Sequence, residues 1–451
     1  MSTPFWALIP PPAEASDGEI SYGDPVMTGW ILPGPRSQLR ERVELPPSKS
    51  LTNRGLIAAA VAGGGTIVSP LDCDDTRILA NALVGAGWMV EWRDDVEIGG
   101  RKIPEGRVRL DLAESGTGVR LMLGLLAASP GMAIVDGNPR LRERPMTPLI
   151  ETLVKLGADL RSTSGALPIE VDGKTLEGGP ATVRPQVSSQ FVSSLVFAAP
   201  LMRRGLDLEV SGPLPSAPYL DLTEDVMRAF GGGLEVGADR RSWRVAPTPL
   251  QPTRYAVEGD WSAAAFVLAA VAVAGGSVDV GPLSPSSRQG DRAVMDILLR
   301  AGLEVRTVND RLRARGPIHF PLTADLSDTP DLFPALAVVA AAAPAGSELT
   351  GLEHLKHKES DRLSVMVDNL RRLGAGLVVE GSRVVVETPM RREERLAPPA
   401  VTAAGDHRIA MAMAVAALAT GPLDLDDPSC VAKSFPGFWA MWDSLTSSGT
   451  V

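Results

Sequence analysis

Cysteine, histidine and aromatic residues are all scarce in this sequence, and each scarcity closes off a class of protein. The two cysteines, Cys73 and Cys430, lie far apart with neither a metal-ligand spacing nor a disulfide framework. That excludes a stapled secreted scaffold and points to a reducing compartment, with the cytoplasm as the expected location. The four histidines (His319, His354, His357, His407) form no zinc motif, so no metal is expected. Aromatics make up 4% while alanine and glycine abound, which suits small side chains packed in repeated helix–sheet layers. No apolar run of membrane-spanning length is free of glycine breaks and polar helix starts. The opening Met-Ser-Thr-Pro-Phe-Trp-Ala-Leu-Ile-Pro-Pro-Pro lacks the basic region and apolar length of a signal peptide. Net positive charge is absent too. At −10, with a pI of about 5.1, the chain is no general partner for nucleic acid or an anionic membrane. Any anion site must therefore be a local cluster of basic residues.

What is present is a soluble globular composition, 44% apolar and 22% charged, over 451 residues, a length that favours two domains. The stretch Pro46 to Ala60 organises it. A strand-like run ending at Leu45 stops at two prolines; Ser48, Lys49, Ser50, Thr52, Asn53 and Arg54 follow, and an alanine-rich helix begins. Two cations and several small donors thus sit at a helix N-terminus, where free N–H groups and the dipole favour anions. An ordinary Ser/Thr/Asn cap with stray basic residues would account for this stretch alone. Recurrence of the layout favours the anion site.

An alanine-rich helix, then glycine and a short alternating strand, appears six times, with strands beginning at Gly65, Gly131, Gly205, Gly276, Gly346 and Gly421. The period is roughly 70 residues. After five of these strands a second helix closes on a glycine turn, the left-handed cap expected of glycine; the sixth unit stops at its second helix, near Phe438 to Leu445. Such βαβαβ units make an α/β protein, most simply three units in each of two lobes. The six first helices are preceded by Ser48-Lys49-Ser50, Ser115-Gly116-Thr117 with Arg120, Ser188-Ser189-Gln190, Asp260-Trp261-Ser262, Asp331-Leu332-Phe333 and Asp406-His407-Arg408. If the lobes face each other, all six starts point into one cleft suited to a strongly anionic small molecule. Further basic residues come from Arg140, Arg142 and Arg144, from the run His357-Lys358-Glu359-Ser360-Asp361-Arg362, and from Lys433 in a proline-terminated turn. Alone, such a charge run is a solvated face and such a lysine a surface one.

Many ordered stretches carry a resemblance. They are Pro47 to Arg54, Asp74 to Arg77, Ser115 to Arg120, Pro139 to Pro145, Val187 to Phe191, Pro215 to Tyr219, Val257 to Asp260, Lys358 to Leu363, Gly405 to Met411 and Ala432 to Pro436. On these the chain, from about residue 40 onward, resembles the 5-enolpyruvylshikimate-3-phosphate synthases, the enolpyruvyl transferases of the shikimate pathway to chorismate and aromatic amino acids. The resemblance implies a two-lobed, inverse α/β barrel-like fold of six βαβαββ repeats. From the repeat count, lobe boundaries fall at 36–47 plus 258–451 for one lobe and 48–257 for the other; residues 1–35, rich in Pro, Gly, Ser and Asp and without a family counterpart, read as an irregular extension whose Trp6 and Trp30 dock on the body or on a partner subunit. The resemblance also implies the substrates shikimate 3-phosphate and phosphoenolpyruvate, no cofactor, a monomer and inhibition by glyphosate.

Residue by residue, the resemblance makes Asp331 the base on the 5-hydroxyl, Glu359 the proton donor to the methylene carbon, and Lys49 the bridge between substrates. Phosphoenolpyruvate falls to Lys49, Gly116, Arg120, Arg144, Gln190, Arg362, Arg408 and Lys433. Shikimate 3-phosphate falls to Lys49, Ser50, Arg54, Ser188, Ser189, Gln190, Ser216, Asp331, His354 and Lys358. Arginine's planar fork fits carboxylate and phosphate, in keeping with the arginine excess. Two positions depart from the family pattern: Glu114 stands where an asparagine usually opens the loop, and His354 replaces another asparagine. The sequence leaves open whether Glu114 points away or pairs with a basic residue. The sister enzyme acting on UDP-N-acetylglucosamine often carries a catalytic-loop cysteine, absent from 140–144. A binding-only relative has no need of both Asp331 and Glu359.

Overall fold

Two kinds of helix come out of the repeated pattern, and they differ in what surrounds them. The computed structural model describes residues 30–34, 39–393 and 395–447. In it the alanine-rich helices are interior. Lys49–Val61 is buried at every position from Leu51 onward, and Trp261–Ala274, Phe333–Ala342 and His407–Thr420 are buried almost all round. A helix without a polar face has no other stable place. The second helices are one-sided: Thr147–Lys155 buries only Leu149, Thr152 and Leu153. Their closing glycines, Gly87, Gly157, Gly231, Gly302 and Gly374, all adopt positive φ between +75° and +102°, as expected of left-handed caps. Interior helices press closely together. A Cβ at Gly124 would lie 2.7 Å from the Ser194 carbonyl oxygen, so helices Gly116–Ala127 and Gln190–Ala198 meet there backbone to backbone.

Five four-stranded sheets and one three-stranded sheet surround these helices. All follow one order, a parallel edge strand, then the strand after the interior helix, then its antiparallel partners. Arg107–Asp111 lies parallel to Gly131–Asp136, which pairs antiparallel with Ile169–Gly173 and through it with Asp159–Arg161. Two edge strands come from far along the chain: Arg254–Ala256 joins Gly65–Val68, and Leu39–Glu44 joins Gly276–Gly281. The three-stranded sheet pairs Leu423–Leu425 with Ala400–Val401 and with Trp30–Leu32. Of the extension expected over 1–35, residues 1–29, Trp6 among them, lie outside the described residues. Its described part is not irregular. Trp30–Leu32 is a strand antiparallel to Leu423–Leu425, with Leu32 buried and the Trp30 ring 6.2 Å from that of Trp439. Aromatic and branched side chains on a half-covered sheet edge explain it.

The buried apolar side chains fall into two clusters. One runs from Leu51 to Val257; the other combines Leu32 to Leu45 with Trp261 to Leu445. Between them the chain crosses twice, side by side. Pro47 bridges Gly259, Ser48 N–H donates to the Glu258 carbonyl at 2.8 Å, and Asp260 N–H to that of Pro46 at 2.9 Å. Among the described residues no helix is long and apolar enough to cross a membrane.

Candidate active site

The interior helices begin at one cleft between the two clusters. Lys49 and Ser50, Gly116 and Thr117, Ser188 to Gln190, Asp331, and His407 and Arg408 line it. Asp260 and Ser262 line a smaller cavity beside it, shared with Lys49 and Arg408. The helix carrying Lys49 is not capped by its own serine, because Ser48 makes no side-chain cap. Asp260 does this across the crossing point. One carboxylate oxygen accepts from Lys49 N–H at 3.1 Å and the other from Ala263 N–H at 3.0 Å, so a single residue caps two helices. Asp406 likewise accepts from Arg408 N–H at 3.0 Å.

Each cation in the cleft is met by a carboxylate. Lys49 Nζ lies 3.2 Å from Asp75. Burial works against its charge, but Asp75 and Glu359 outweigh burial and Arg408 and hold the ammonium above its ordinary value. Asp331 is reached by Lys358 at 3.3 Å, Arg362 at 2.8 Å and Arg408 at 3.0 Å. Glu359 is reached by Arg362 at 2.7 Å and by Arg144 and Lys433 at 3.9 Å each. Burial alone would raise both carboxyls; their cations win and hold both well below the usual carboxylate range. Arg362, 1% exposed, also donates to the fully buried Asp406 at 2.7 Å. Arg120 is pushed down to about 9, by burial first and then by Arg144. His354 is pushed down to about 4 by burial and Lys358, so its imidazole is neutral.

Across the cleft the two halves touch. Arg140 donates to the carbonyls of Lys356, Lys358 and Glu359 at 2.9, 3.1 and 3.2 Å, and Arg144 Nε to that of His357 at 3.1 Å. Lys433 Nζ meets Glu114 at 3.1 Å, while the other Glu114 oxygen accepts from Asn138. The alternative left open by the sequence thus resolves: Glu114 pairs with a basic residue, on the opposite half.

Of the residues expected in a site, Lys49, Ser50, Gly116, Arg144, Ser188, Ser189, Gln190, Ser216, Asp331, Lys358, Glu359, Arg362 and Arg408 line the cleft together. Lys433 reaches it through Glu359. Arg120 stands behind Gln190, donating to its side-chain oxygen at 2.7 Å. His354 is 8% exposed, with a buried Nε2 that has no protein partner among the described residues. Arg54 lies deeper than expected of a ligand. Its guanidinium, 1% exposed, donates to Thr223, the Ser50 carbonyl and the Tyr219 carbonyl, all within 3.1 Å, so it fixes the cleft wall. Asp75, Tyr219 and Asp291 escaped the sequence reading as site residues, while Arg140 entered it only as one of a basic cluster and Asp406 only as a helix start. Asp75 and Tyr219 fall inside the matched stretches Asp74 to Arg77 and Pro215 to Tyr219, and that was the available signal. A concavity over strands Gly179–Val183 and Leu206–Val210 contains none of the expected residues.

Comparison with known proteins places this geometry. The family described as EPSP synthase (3-phosphoshikimate 1-carboxyvinyltransferase) matches residues 33–442. The chain belongs to the EPSP synthase family. Every cleft residue named above lies inside that match. The 3-phosphoshikimate 1-carboxyvinyltransferase of Methanoculleus marisnigri is 41% identical over 405 residues, covering 87% of this chain and 94% of that protein. The enzyme of the same name from Syntrophobacter fumaroxidans is 37% identical, covering 92% and 99%. Among solved structures, the EPSP synthase of Acinetobacter baumannii superposes with a TM-score of 0.74 at 26% identity, covering 92% of this chain and 98% of that one.

Proposed function

We propose that this chain transfers the enolpyruvyl group of phosphoenolpyruvate to the 5-hydroxyl of shikimate 3-phosphate, releasing inorganic phosphate, in the shikimate pathway. One observation supports it above the others: a cleft built from five helix starts, with the sixth at a smaller cavity beside it, in which Lys49, Arg144, Lys358, Arg362, Arg408 and Lys433 surround two carboxylates, Asp331 and Glu359. Two substrates carrying phosphates and carboxylates need such a cluster of cations, and the reaction needs two proton-transfer groups. Asp331 takes the hydroxyl proton as the oxygen attacks the enol carbon, and Glu359 gives a proton to the methylene carbon. When phosphate departs it takes the hydroxyl proton back from Asp331, the new methyl group returns a proton to Glu359 and the double bond is restored, so both carboxyls end as they began. Lys49 bridges both substrates. Arg144, Arg362, Arg408 and Lys433 grip phosphoenolpyruvate, with Gly116, Arg120 and Gln190 at its wall. Ser50, Arg54, Ser188, Ser189, Gln190, Ser216, His354 and Lys358 hold shikimate 3-phosphate, with Arg54 also bonded to the Ser50 carbonyl. The two halves, 36–47 plus 258–451 and 48–257, act as lobes that close on substrate, the chain works as a monomer, and it resides in the cytoplasm.

In the ligand-free cleft Glu359 is ionised, whereas a proton donor must start protonated. Substrate anions that draw away Arg144, Arg362 and Lys433 remove the charges that hold its carboxyl low. Its pKa therefore rises on binding, and formation of the ternary complex takes up a proton. Calorimetric titration in buffers of different ionisation enthalpy measures this, and net proton release would contradict it. Lys433 is already occupied by Glu114, so Glu114→Gln is expected to lower the KM for phosphoenolpyruvate roughly two- to five-fold, the scale of a half-exposed ion pair.

The direct test is phosphate release from phosphoenolpyruvate with shikimate 3-phosphate or UDP-N-acetylglucosamine as acceptor. Release is expected with the first alone, and Asp331→Ala should lower kcat by about 10²–10⁴-fold, the contribution of a general base. Release with the sugar nucleotide, or full activity in the variant, would refute the assignment.

A further inference from the structure

Two groups, the half-buried Tyr219 and the buried Asp291, flank Asp331 at the oxygen that Arg408 also holds, and the reaction as described gives them no task. Asp291, in the short turn Gly290–Arg292, is 2% exposed and accepts a hydrogen bond from the Ser262 hydroxyl. Both its carboxyl oxygens lie 3.3 Å from the Tyr219 hydroxyl, which reaches across from helix Pro218–Ala229 in the other half. The same hydroxyl lies 3.2 Å from Oδ2 of Asp331.

Proton counting decides what this arrangement is. A tyrosine hydroxyl has one hydrogen, and the hydrogen of Ser262 already points at Asp291. With both carboxyls ionised, that single tyrosine hydrogen serves one of them and oxygen lone pairs face each other at the second, an unsatisfied buried contact. A proton on Asp291 removes the conflict: Asp291 donates to Tyr219 and Tyr219 donates to Asp331. The surroundings favour that carboxyl as the carrier. Asp331 faces Arg408, Lys358 and Arg362, whereas the charged groups around Asp291 are Asp331, Asp260 and one cation, Arg408. Burial, and then the Asp331 charge, push Asp291 up to about 6.

We propose that Asp291, as a neutral acid, is a positioning residue for the base: through Tyr219 it holds the carboxylate of Asp331 aimed at the substrate hydroxyl. Among the described residues, Tyr219 is the one side-chain donor to Asp331 that is not a cation. Unlike the other three, it holds Asp331 without a positive charge for incoming phosphate and carboxylate groups to draw away. The proposal rests on the reading of Asp331 as the base.

Steady-state kinetics of the full chain carrying Asp291→Asn, Asp291→Ala, Tyr219→Phe and the Asp291→Ala/Tyr219→Phe pair test it. An asparagine amide donates to Tyr219 as the acid does, and its carbonyl accepts from Ser262. Asp291→Asn should therefore retain kcat within about three-fold. Asp291→Ala and Tyr219→Phe should each lower kcat by about 10- to 100-fold with both KM values little changed, and the double variant should be no worse than either, because they cut one chain. Equal losses in the Asn and Ala variants, losses that multiply in the pair, or a change in KM alone would overturn the proposal. If Asp291→Ala does not fold, the comparison of Tyr219→Phe with Asp291→Asn decides. Infrared difference spectra at the pH of the kinetic assay separate this from failure of the functional reading. The carbonyl stretch of a neutral carboxyl should be present in the unsubstituted chain and missing in Asp291→Asn, whether or not the acceptor is correct, and its absence from the unsubstituted chain would refute the neutral acid.

Discussion

Replacing Arg362 with alanine is expected to abolish phosphate release and to destabilise the fold by about 3–5 kcal/mol, the scale for stranding buried charges without their partner. The guanidinium is 1% exposed and divides its donors among Asp406, Glu359 and Asp331 at 2.7 to 2.8 Å. Its removal leaves the fully buried Asp406 with no cation beside it in the described ion pairs and weakens the charge balance at both proposed proton-transfer groups. Lysine should not rescue it, because one ammonium on a flexible stem cannot present a planar fork to three carboxylates. The pH dependence gives a further check. Asp331 and Glu359 have folded-state values held below their unfolded ones, so the stability they contribute is present above the unfolded values and lost as pH falls through the folded ones. The deficit of the variant should therefore shrink on acidification. Urea unfolding as a function of pH measures it; a deficit that grows as pH falls would refute the account.

Gly116→Ala should have the opposite profile, with a sound fold and a damaged site. The position opens helix Gly116–Ala127, where alanine is a good helix former. The new Cβ would fall 2.8 Å from the guanidinium carbon of Arg144. What it meets is the tip of a flexible side chain, so the chain folds and Arg144 moves. Displacing a proposed phosphoenolpyruvate ligand by about an ångström should lower kcat/KM for phosphoenolpyruvate by about 10²-fold, with the melting temperature unchanged. Unaltered kinetics would mean that Arg144 does not act from where it stands.

Much of this was legible from residues that act locally. The glycines after the second helices announced their left-handed caps, since that backbone conformation is a property of one residue. The helix starts announced the cleft for the same reason: Lys49, Gly116, Gln190 and Arg408 are placed by their own helices. What stayed hidden depends on distances between remote segments. Arg54 reads as a ligand in the sequence; only the approach of helix Pro218–Ala229 shows that Thr223 and Tyr219 engage it. The pairing of Glu114 with Lys433 and the clasp of Arg140 on 356–359 exist only because the halves meet. Trp30–Leu32 was missed on other grounds, as three residues are too few to display a period of two.

The carboxylate of Asp260 belongs to the crossing point and also holds the first amide of the helix that presents the Lys49 ammonium. Bending at the crossing cannot leave that ammonium where it was, because the same short lever carries both. If the halves close as proposed, a substrate that pulls on Lys49 turns them toward each other with the same force by which it is held, and tight binding and a shut cleft are two readings of one motion.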